Sequence, residues 1–313
     1  MNGRWLTVMG SFVADLTFCT PRLPRWGETV LGSAFRLGPG GKGSNQAIAA
    51  ARLNGTVAFI SRLGHDAFAD LARRTYAEEQ INSEFVFEST EYATGGAAII
   101  VDEATGENAI VVVPGVCFQL TPEDVDRARP VIAQSSIFMT QLELPIPVVE
   151  HGLKLARKFG VTTILNPAPA HSLPESVYPL CDYLIPNETE AGALTGLPVT
   201  NITQVKHAAD ALLRRGARNV VITLGGQGAL VKNETLMEQV AAFDAGPVVE
   251  TTGAGDAFNG GFAVALAEGL DIVAATRFGC AVAGISVTRS GTAPSMPRRA
   301  EVDTLLKRWR STH

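Results

Sequence analysis

With 313 residues, 46% of them hydrophobic, the chain can bury a large core, as one big α/β domain or one domain with an appendage, and its composition excludes disorder. A formal net charge of −5 argues against a nucleic-acid binder, because no basic excess is available to neutralise phosphates. Cys19, Cys117, Cys181 and Cys280 match no zinc or redox spacing; the start lacks a signal-peptide pattern and no stretch reaches membrane-spanning length, so a cytoplasmic protein with no membrane partner is expected.

Leu6 to Gly10 reads as a strand that stops at Gly10-Ser11. Residues 12–18 and 28–37 have the β-branched and aromatic content of short strands, punctuated by Pro21, Pro24 and Gly27. Gly38 to Gln46 is glycine-rich and leads into a helix over 47–53. A strand over 57–61 and an amphipathic helix over 68–80 follow. Strands over 97–101 and 108–113 flank Asp102-Glu103-Ala104-Thr105-Gly106-Glu107, a hairpin signal.

From there the pattern is regular. Helices are predicted over 123–133, 147–159, 188–195, 205–215, 256–268, 272–288 and 302–310. Strands are predicted over 136–141, 162–165, 183–186, 220–224, 230–232, 236–240 and 247–250. Such alternation predicts a parallel sheet covered on both faces, with ligands at the carboxyl ends of its strands. Gly10-Ser11, Gln141-Leu142-Glu143, Asn166, Asn187, Thr223-Leu224-Gly225 and Thr251-Thr252-Gly253 all follow predicted strands and are expected to crowd one edge. The early strands and the 97–113 hairpin are expected to cover it.

Thr251 to Phe262 carries the sharpest chemical signal. Gly253 and Gly255 lack a Cβ, so the backbone can turn sharply beside a ligand. A helix beginning there aims free N–H groups and its positive dipole end at an anion, usually phosphate. Asp256, inside that turn, can accept a proton from a substrate hydroxyl. A capped glycine-rich turn is the plainer alternative. Asn187 and Glu190, one helical turn apart, suit Mg²⁺ directly or through its waters, or simply cap a surface helix. The 223–228 turn fits a nucleotide or a tight bend. The stretch around Lys42 is not a Walker A loop, because Gly43 follows the lysine. With Asp15 and Asn45 it offers donors and acceptors for sugar hydroxyls. His65, His151, His171 and His207 are isolated and read as surface residues.

Gly40-Gly41-Lys42-Gly43-x-Asn45-Gln46 and Thr252-Gly253-Ala254-Gly255-Asp256-Ala257-Phe258 together resemble the two signatures of the ribokinase family of carbohydrate kinases, the PfkB family. The likeness runs nearly end to end, through Gly10-Ser11-x-x-Ala14-Asp15, Asn166-Pro167-Ala168-Pro169-Ala170 and Asn187-Glu188-Thr189-Glu190. It implies an ATP-dependent kinase acting on the hydroxymethyl group of ribose or a similar sugar. The implied fold is α/β: a ribokinase-like three-layer sandwich with a mostly parallel central sheet. One kinase domain over 1–313 would carry a small β-sheet lid from about 12–37 and 97–113. Asp256 would be the base, and the amides of Gly253, Ala254 and Gly255 the anion hole. Asp15, Gly41, Lys42, Asn45 and Glu143 would hold the sugar. Asn187 and Glu190 would orient hydrated Mg²⁺, and Thr223, Gly225, Gly228 and Gly255 would touch the nucleotide. Glu250, Thr252 and Gly291 would mark a K⁺ site, and paired lids a homodimer.

The pattern departs from that family at three positions. Val13 stands where ribokinases carry an Asn, which removes one hydrogen bond to the sugar and makes 2-deoxyribose, a fructose-type ketose or a nucleoside rival substrates. Glu250 replaces the usual Asp at the K⁺ site, and Cys280 replaces a His beside the adenine. A non-catalytic sugar- or nucleotide-binding regulator on the same fold is the rival from another class; loss of the base or of the glycine turn would mark it, and both are present.

Overall fold

Strands apolar on both faces need cover on both sides, and that requirement sets the architecture. The computed structural model describes residues 5–105 and 107–312, so Gly106 in the predicted hairpin turn lies outside the described residues. In chain order the strands are Trp5–Met9 (β1), Val13–Thr20 (β2), Ala34–Gly40 (β3), Val57–Leu63 (β4), Asn82–Glu88 (β5), Thr94–Asp102 (β6) and Asn108–Gly115 (β7). Ser135–Thr140 (β8), Thr162–Leu165 (β9), Tyr183–Leu184 (β10), Asn219–Thr223 (β11), Ala229–Lys232 (β12) and Met237–Val240 (β13) follow. The helices are Lys42–Arg52 (α1), Ala67–Glu78 (α2), Pro122–Arg127 (α3), Arg129–Ala133 (α4) and Ile146–Lys158 (α5). Then come Glu188–Thr195 (α6), Ile202–Arg214 (α7), Ala254–Ala267 (α8), Ile272–Ser286 (α9) and Arg299–Thr312 (α10).

Nine strands form one sheet in the order β13-β12-β11-β10-β9-β8-β1-β4-β5. From β11 to β5 all neighbours are parallel; at one edge β12 runs antiparallel between β11 and β13. Alternation along each strand sends side chains to opposite layers. Leu6, Val8 and Val221 pack with α1, α2, α8 and α9 residues such as Ile48, Tyr76, Phe262 and Val282. Met9, Val220 and Ile222 pack on the other face with Val125, Leu153 and Leu212 from α3, α5 and α7. Each such Leu or Phe, fully buried, contributes about 2 kcal/mol relative to exposure.

Four strands form a second, smaller sheet in the order β3-β2-β6-β7. It stands at the carboxyl edge of the large sheet. The chain enters β2 a few residues after β1 ends, and the start of β6 is tied to the end of β4. There Gly64 N donates to Thr94 Oγ1 at 2.9 Å, and Thr94 N donates to the Asp66 carboxylate at 2.8 Å. The same Asp66 caps α2 by accepting from Ala69 N at 2.9 Å.

Several expectations need correction. Residues 247–250 form no strand. The amides of Val249 and Glu250 instead share the carbonyl of Val287 at 2.8 and 3.2 Å, and no neighbouring strand pairs with the segment. Of 28–37, only the part from Ala34 onward is strand: β2 pairs Cys19 with Ala34, its ladder ends with Ser33 N donating to Cys19 O at 2.9 Å, and residues 28–32 have no strand partner. The helix expected from Ala47 begins at Lys42, so Gly43 to Gln46 lie inside it. The helix expected over 123–133 is two, since Pro130 has no N–H to continue the ladder. Strand β5, polar in its first half, went unpredicted and pairs parallel with β4 at the sheet edge. No helix among the described residues is long and apolar enough to cross a membrane.

Candidate active site

Helix α8 starts at the carboxyl edge without a side-chain cap. Gly253 takes the N-cap position with φ 82°, a left-handed conformation that a side chain would strain. The Ala254 N–H donates to Thr251 O at 3.1 Å and so closes the turn. Gly255 is exposed and has no protein acceptor for its N–H among the described residues, which leaves that donor facing the cleft. Asp256 follows and is buried, only 5% exposed. Of the three amides expected to form the anion hole, that of Ala254 is engaged, while those of Gly253 and Gly255 have no protein acceptor among the described residues.

Helix α1 brings the partners of Asp256. Asn45 Nδ2 donates to one carboxylate oxygen at 3.0 Å, and Gln46 Nε2 donates to the other at 2.9 Å. Burial raises the Asp256 pKa most strongly; Lys42 and these two amides work against that, and Glu143 adds to it. A carboxylate destabilised in this way is poised to take a proton. Burial also works against the Lys42 ammonium, but Asp256, Glu143 and Glu190 outweigh it and its pKa is raised. Lys42 is thus the cation among these carboxylates. Glu143 is held by the Ser11 hydroxyl and by the backbone N–H of Lys42 at 2.9 Å.

The small sheet contributes Asp15. Its carboxylate accepts from Thr292 Oγ1 at 2.7 Å. Burial, with smaller contributions from Glu143, Asp256 and Glu250, lifts its pKa to about 6 despite that bond. Val13, two residues away on the same strand, shares its face of the sheet. It is 3% exposed yet belongs to neither hydrophobic core. Next to Thr292, Gly291 N donates to the Glu250 carboxylate at 2.8 Å, so Glu250 and Gly291 do meet, and Thr252 lies between Glu250 and the α8 turn.

Asn187 and Glu190 form a reciprocal cap. Glu190 N donates to Asn187 Oδ1 at 2.8 Å, and the backbone and side-chain nitrogens of Asn187 donate to the two Glu190 oxygens at 2.9 and 3.0 Å. The capping alternative is therefore correct as far as it goes. Yet Glu190 is buried, and burial raises its pKa, with Lys42 opposing. It belongs to the same charged cluster. Asn187 pairs with Thr223 across the sheet, which places the 223–228 turn beside it. Gly225 is exposed in that turn, whereas Gly228 is buried, and a Cβ there would lie 1.9 Å from Val240 O. Gly228 thus leaves no room for a side chain at the bend into β12. Cys280 is buried in the core, and burial pushes its thiol up to about 12.

Residues without an assigned role complete the site. Thr292 and Ser11 orient Asp15 and Glu143. Gln46, Gln141 and Asn166 stand behind Asp256. Gln46 lies in the glycine-rich motif, and its fixed spacing from Asn45 was the available signal. Nothing local marked Thr292, which lies 277 residues from its partner. Among the described residues no group of three or more His, Cys, Asp or Glu side chains could hold a metal.

Residues 5–299 match the family described as pfkB family carbohydrate kinase. The chain is 40% identical to the ribokinase of Haemophilus influenzae, over 96% of this chain and 98% of that protein. It is 38% identical to the deoxyribokinase of Salmonella typhi, over 93% and 95% of the two chains. The structure of Arabidopsis thaliana ribokinase complexed with ribose and ATP superposes with a TM-score of 0.90 at 31% identity, covering 98% of this chain and 99% of that one. An acidic cleft closed by one lysine, beside a helix start with an open amide, is what transfer of a phosphoryl group to a sugar needs, and this chain belongs to the pfkB family of carbohydrate kinases.

Proposed function

We propose that the protein transfers the γ-phosphoryl group of ATP to the terminal hydroxymethyl of ribose or 2-deoxyribose. The observation that carries this reading is the buried Asp256 at the start of α8, beside the free N–H of Gly255 and within the field of Lys42. The sugar sits against Asp15, Gly41, Lys42, Asn45 and Glu143. Asn45 Oδ1 is buried without a partner and is free to accept from a sugar hydroxyl. Asp256 takes the hydroxyl proton as the oxygen attacks the γ-phosphorus. The bond from that phosphorus to the bridging oxygen breaks, and ADP leaves with the electron pair. Lys42, the Gly255 amide and the dipole of α8 hold the charge that develops.

The nucleotide lies along Thr223, Gly225 and Gly255. Each Glu190 oxygen already accepts from Asn187, so Asn187 and Glu190 fit Mg²⁺ through its waters rather than by direct ligation. Mg²⁺ held there through its waters would supply neutralising charge for the phosphate oxygens. Glu250 accepts from the Gly291 N–H at 2.8 Å, so two residues of the expected K⁺ site lie together, and turnover with and without K⁺ tests that site. The small sheet is the lid. Its outer strands expose Phe35, Val111 and Val113 at 56%, 68% and 62%, which supports pairing of two lids in a homodimer, checked by sedimentation. The four cysteines are all free, consistent with a cytoplasmic location.

Val13 decides between the two sugars. An apolar side chain beside Asp15 leaves no amide for a 2-hydroxyl, which favours 2-deoxyribose. ATP turnover with Mg²⁺ against ribose, 2-deoxyribose, fructose and adenosine, with and without K⁺, tests the reading. Turnover with either pentose supports it. ATP binding without turnover of any of these would point to another sugar, and no ATP binding would favour a non-catalytic regulator.

A further inference from the structure

Behind the proposed base runs a chain of buried amides that the kinase chemistry above does not use. Gln46 is wholly buried on α1, and each polar atom of its side chain is engaged. Its nitrogen donates to Asp256 Oδ1 at 2.9 Å and to Asn166 Oδ1 at 3.1 Å. Its oxygen accepts from Gln141 Nε2 at 2.6 Å. Asn166 in turn donates to the backbone carbonyl of Ile185 at 2.9 Å. An ionised Asp256 can only accept, so the Gln46 amide must turn its NH₂ toward it. That orientation leaves the oxygen for Gln141, and the direction of every bond follows.

Two close approaches house this chain. A Cβ on Gly260 of α8 would lie 2.6 Å from Ala49 Cβ and 2.9 Å from Gln46 O, so the helices touch at backbone distance and bring Gln46 to Asp256. A Cβ on Gly10 would lie 2.2 Å from Gln141 Oε1, so a side chain there would displace Gln141. A network in which the central amide is fully satisfied holds its geometry firmly.

We infer that Gln46 is a positioning residue: anchored by Gln141 and Asn166, it holds the Asp256 carboxylate in the orientation that receives the sugar proton. The inference rests on the kinase reading above. The other charged groups facing Asp256 are Lys42 from α1, Glu143 after β8, Glu190 from α6 and Asp15 from β2. None of them is altered by substituting Gln46.

Gln46→Met keeps the volume and removes both donors. With the preferred sugar, kcat should fall about 10- to 100-fold while KM changes less than about twofold, because orientation and not affinity is lost. The acid limb of the kcat profile should move up by about one pH unit, since a carboxylate that loses a donor holds its proton longer. The Asp256 carboxyl, followed by ¹³C NMR without substrate and assigned with Asp256→Asn, should titrate at correspondingly higher pH. A purely structural role would not move that titration. Thermal unfolding and ATP binding show whether the variant folds; if it does not, Gln141→Met, which frees the Gln46 oxygen, should give the same shifts in weaker form. An unchanged titration and kcat in a folded variant overturn the inference alone. A wild-type protein that turns over no sugar overturns the kinase reading, and this inference with it.

Discussion

The two ends of the large sheet carry charge in opposite ways. At the carboxyl edge Glu143, Glu190 and Asp256 surround the Lys42 ammonium, with Asp15 close to Glu143 and Asp256, and burial raises the pKa of Asp15, Glu190 and Asp256. At the amino edge a cavity of about 450 Å³ opens beside Arg157, Asp182 and Arg218. There one carboxylate has two guanidinium partners, at 3.1 and 3.0 Å, and also accepts from Thr163 N at 3.0 Å. The amino-edge cavity is open and charged, yet its carboxylate is satisfied. The carboxyl edge hydrogen-bonds its carboxylates too, but gathers several of them, partly desolvated, near one ammonium, a costly state that a fold retains where it serves a site. An excess of buried negative charge over positive, rather than the size of a cavity, separates the candidate site from a structural ion cluster.

Exchanging residues at the two edges tests that contrast. Asp256→Asn should lower kcat by about 10³-fold or more, as expected for loss of a base, with ATP affinity measured by calorimetry nearly unchanged. Turnover close to wild type would remove Asp256 as the base. Asp182→Ala should do the reverse. It strands Arg157 and the Thr163 N–H, and should lower stability by about 2–3 kcal/mol in urea unfolding while leaving turnover at 25 °C intact.

Asp15→Asn should weaken sugar binding yet stabilise the fold. Burial lifts the Asp15 pKa to about 6, well above the ordinary aspartate range, so the native state binds an extra proton in that window. Stability therefore falls as pH rises from about 4 to 6. Removing the charge should raise stability at pH 8 by about 1–2 kcal/mol and change little at pH 4, read from unfolding curves at both. Equal effects at the two pH values would mean Asp15 is not strained. The smallest change concerns the apolar wall: Val13→Asn should improve the ratio of ribose to 2-deoxyribose kcat/KM by several-fold, on the order of 1 kcal/mol. An unchanged ratio would show that position 13 does not face the sugar.

Much of the site was legible because its chemistry is local. Gly253 to Asp256 and Gly41 to Asn45 are contiguous stretches, and Asn187 and Glu190 lie one helical turn apart. Their spacing is set by the turn and the helix that contain them. The misreadings share a cause. Residues 247–250 look like a strand by composition, but a strand exists only where another lies beside it. Gly43 to Gln46 look like a loop by composition, but form the first turn of α1, which packs on β1 and α8.

By itself the sequence determined the alternating α/β order, the glycine turn with its aspartate and the motif of α1, because periodicity and turn chemistry are properties of neighbouring residues. Only the tertiary structure decided that Thr292 bonds Asp15, that Gln46 reaches Asp256 through helices in contact at Gly260, and that Lys42 answers Glu143, Glu190 and Asp256 together. Those interactions join residues 100 or more positions apart. Burial then sets the charge state of each, and burial is a property of the packed molecule, not of any segment.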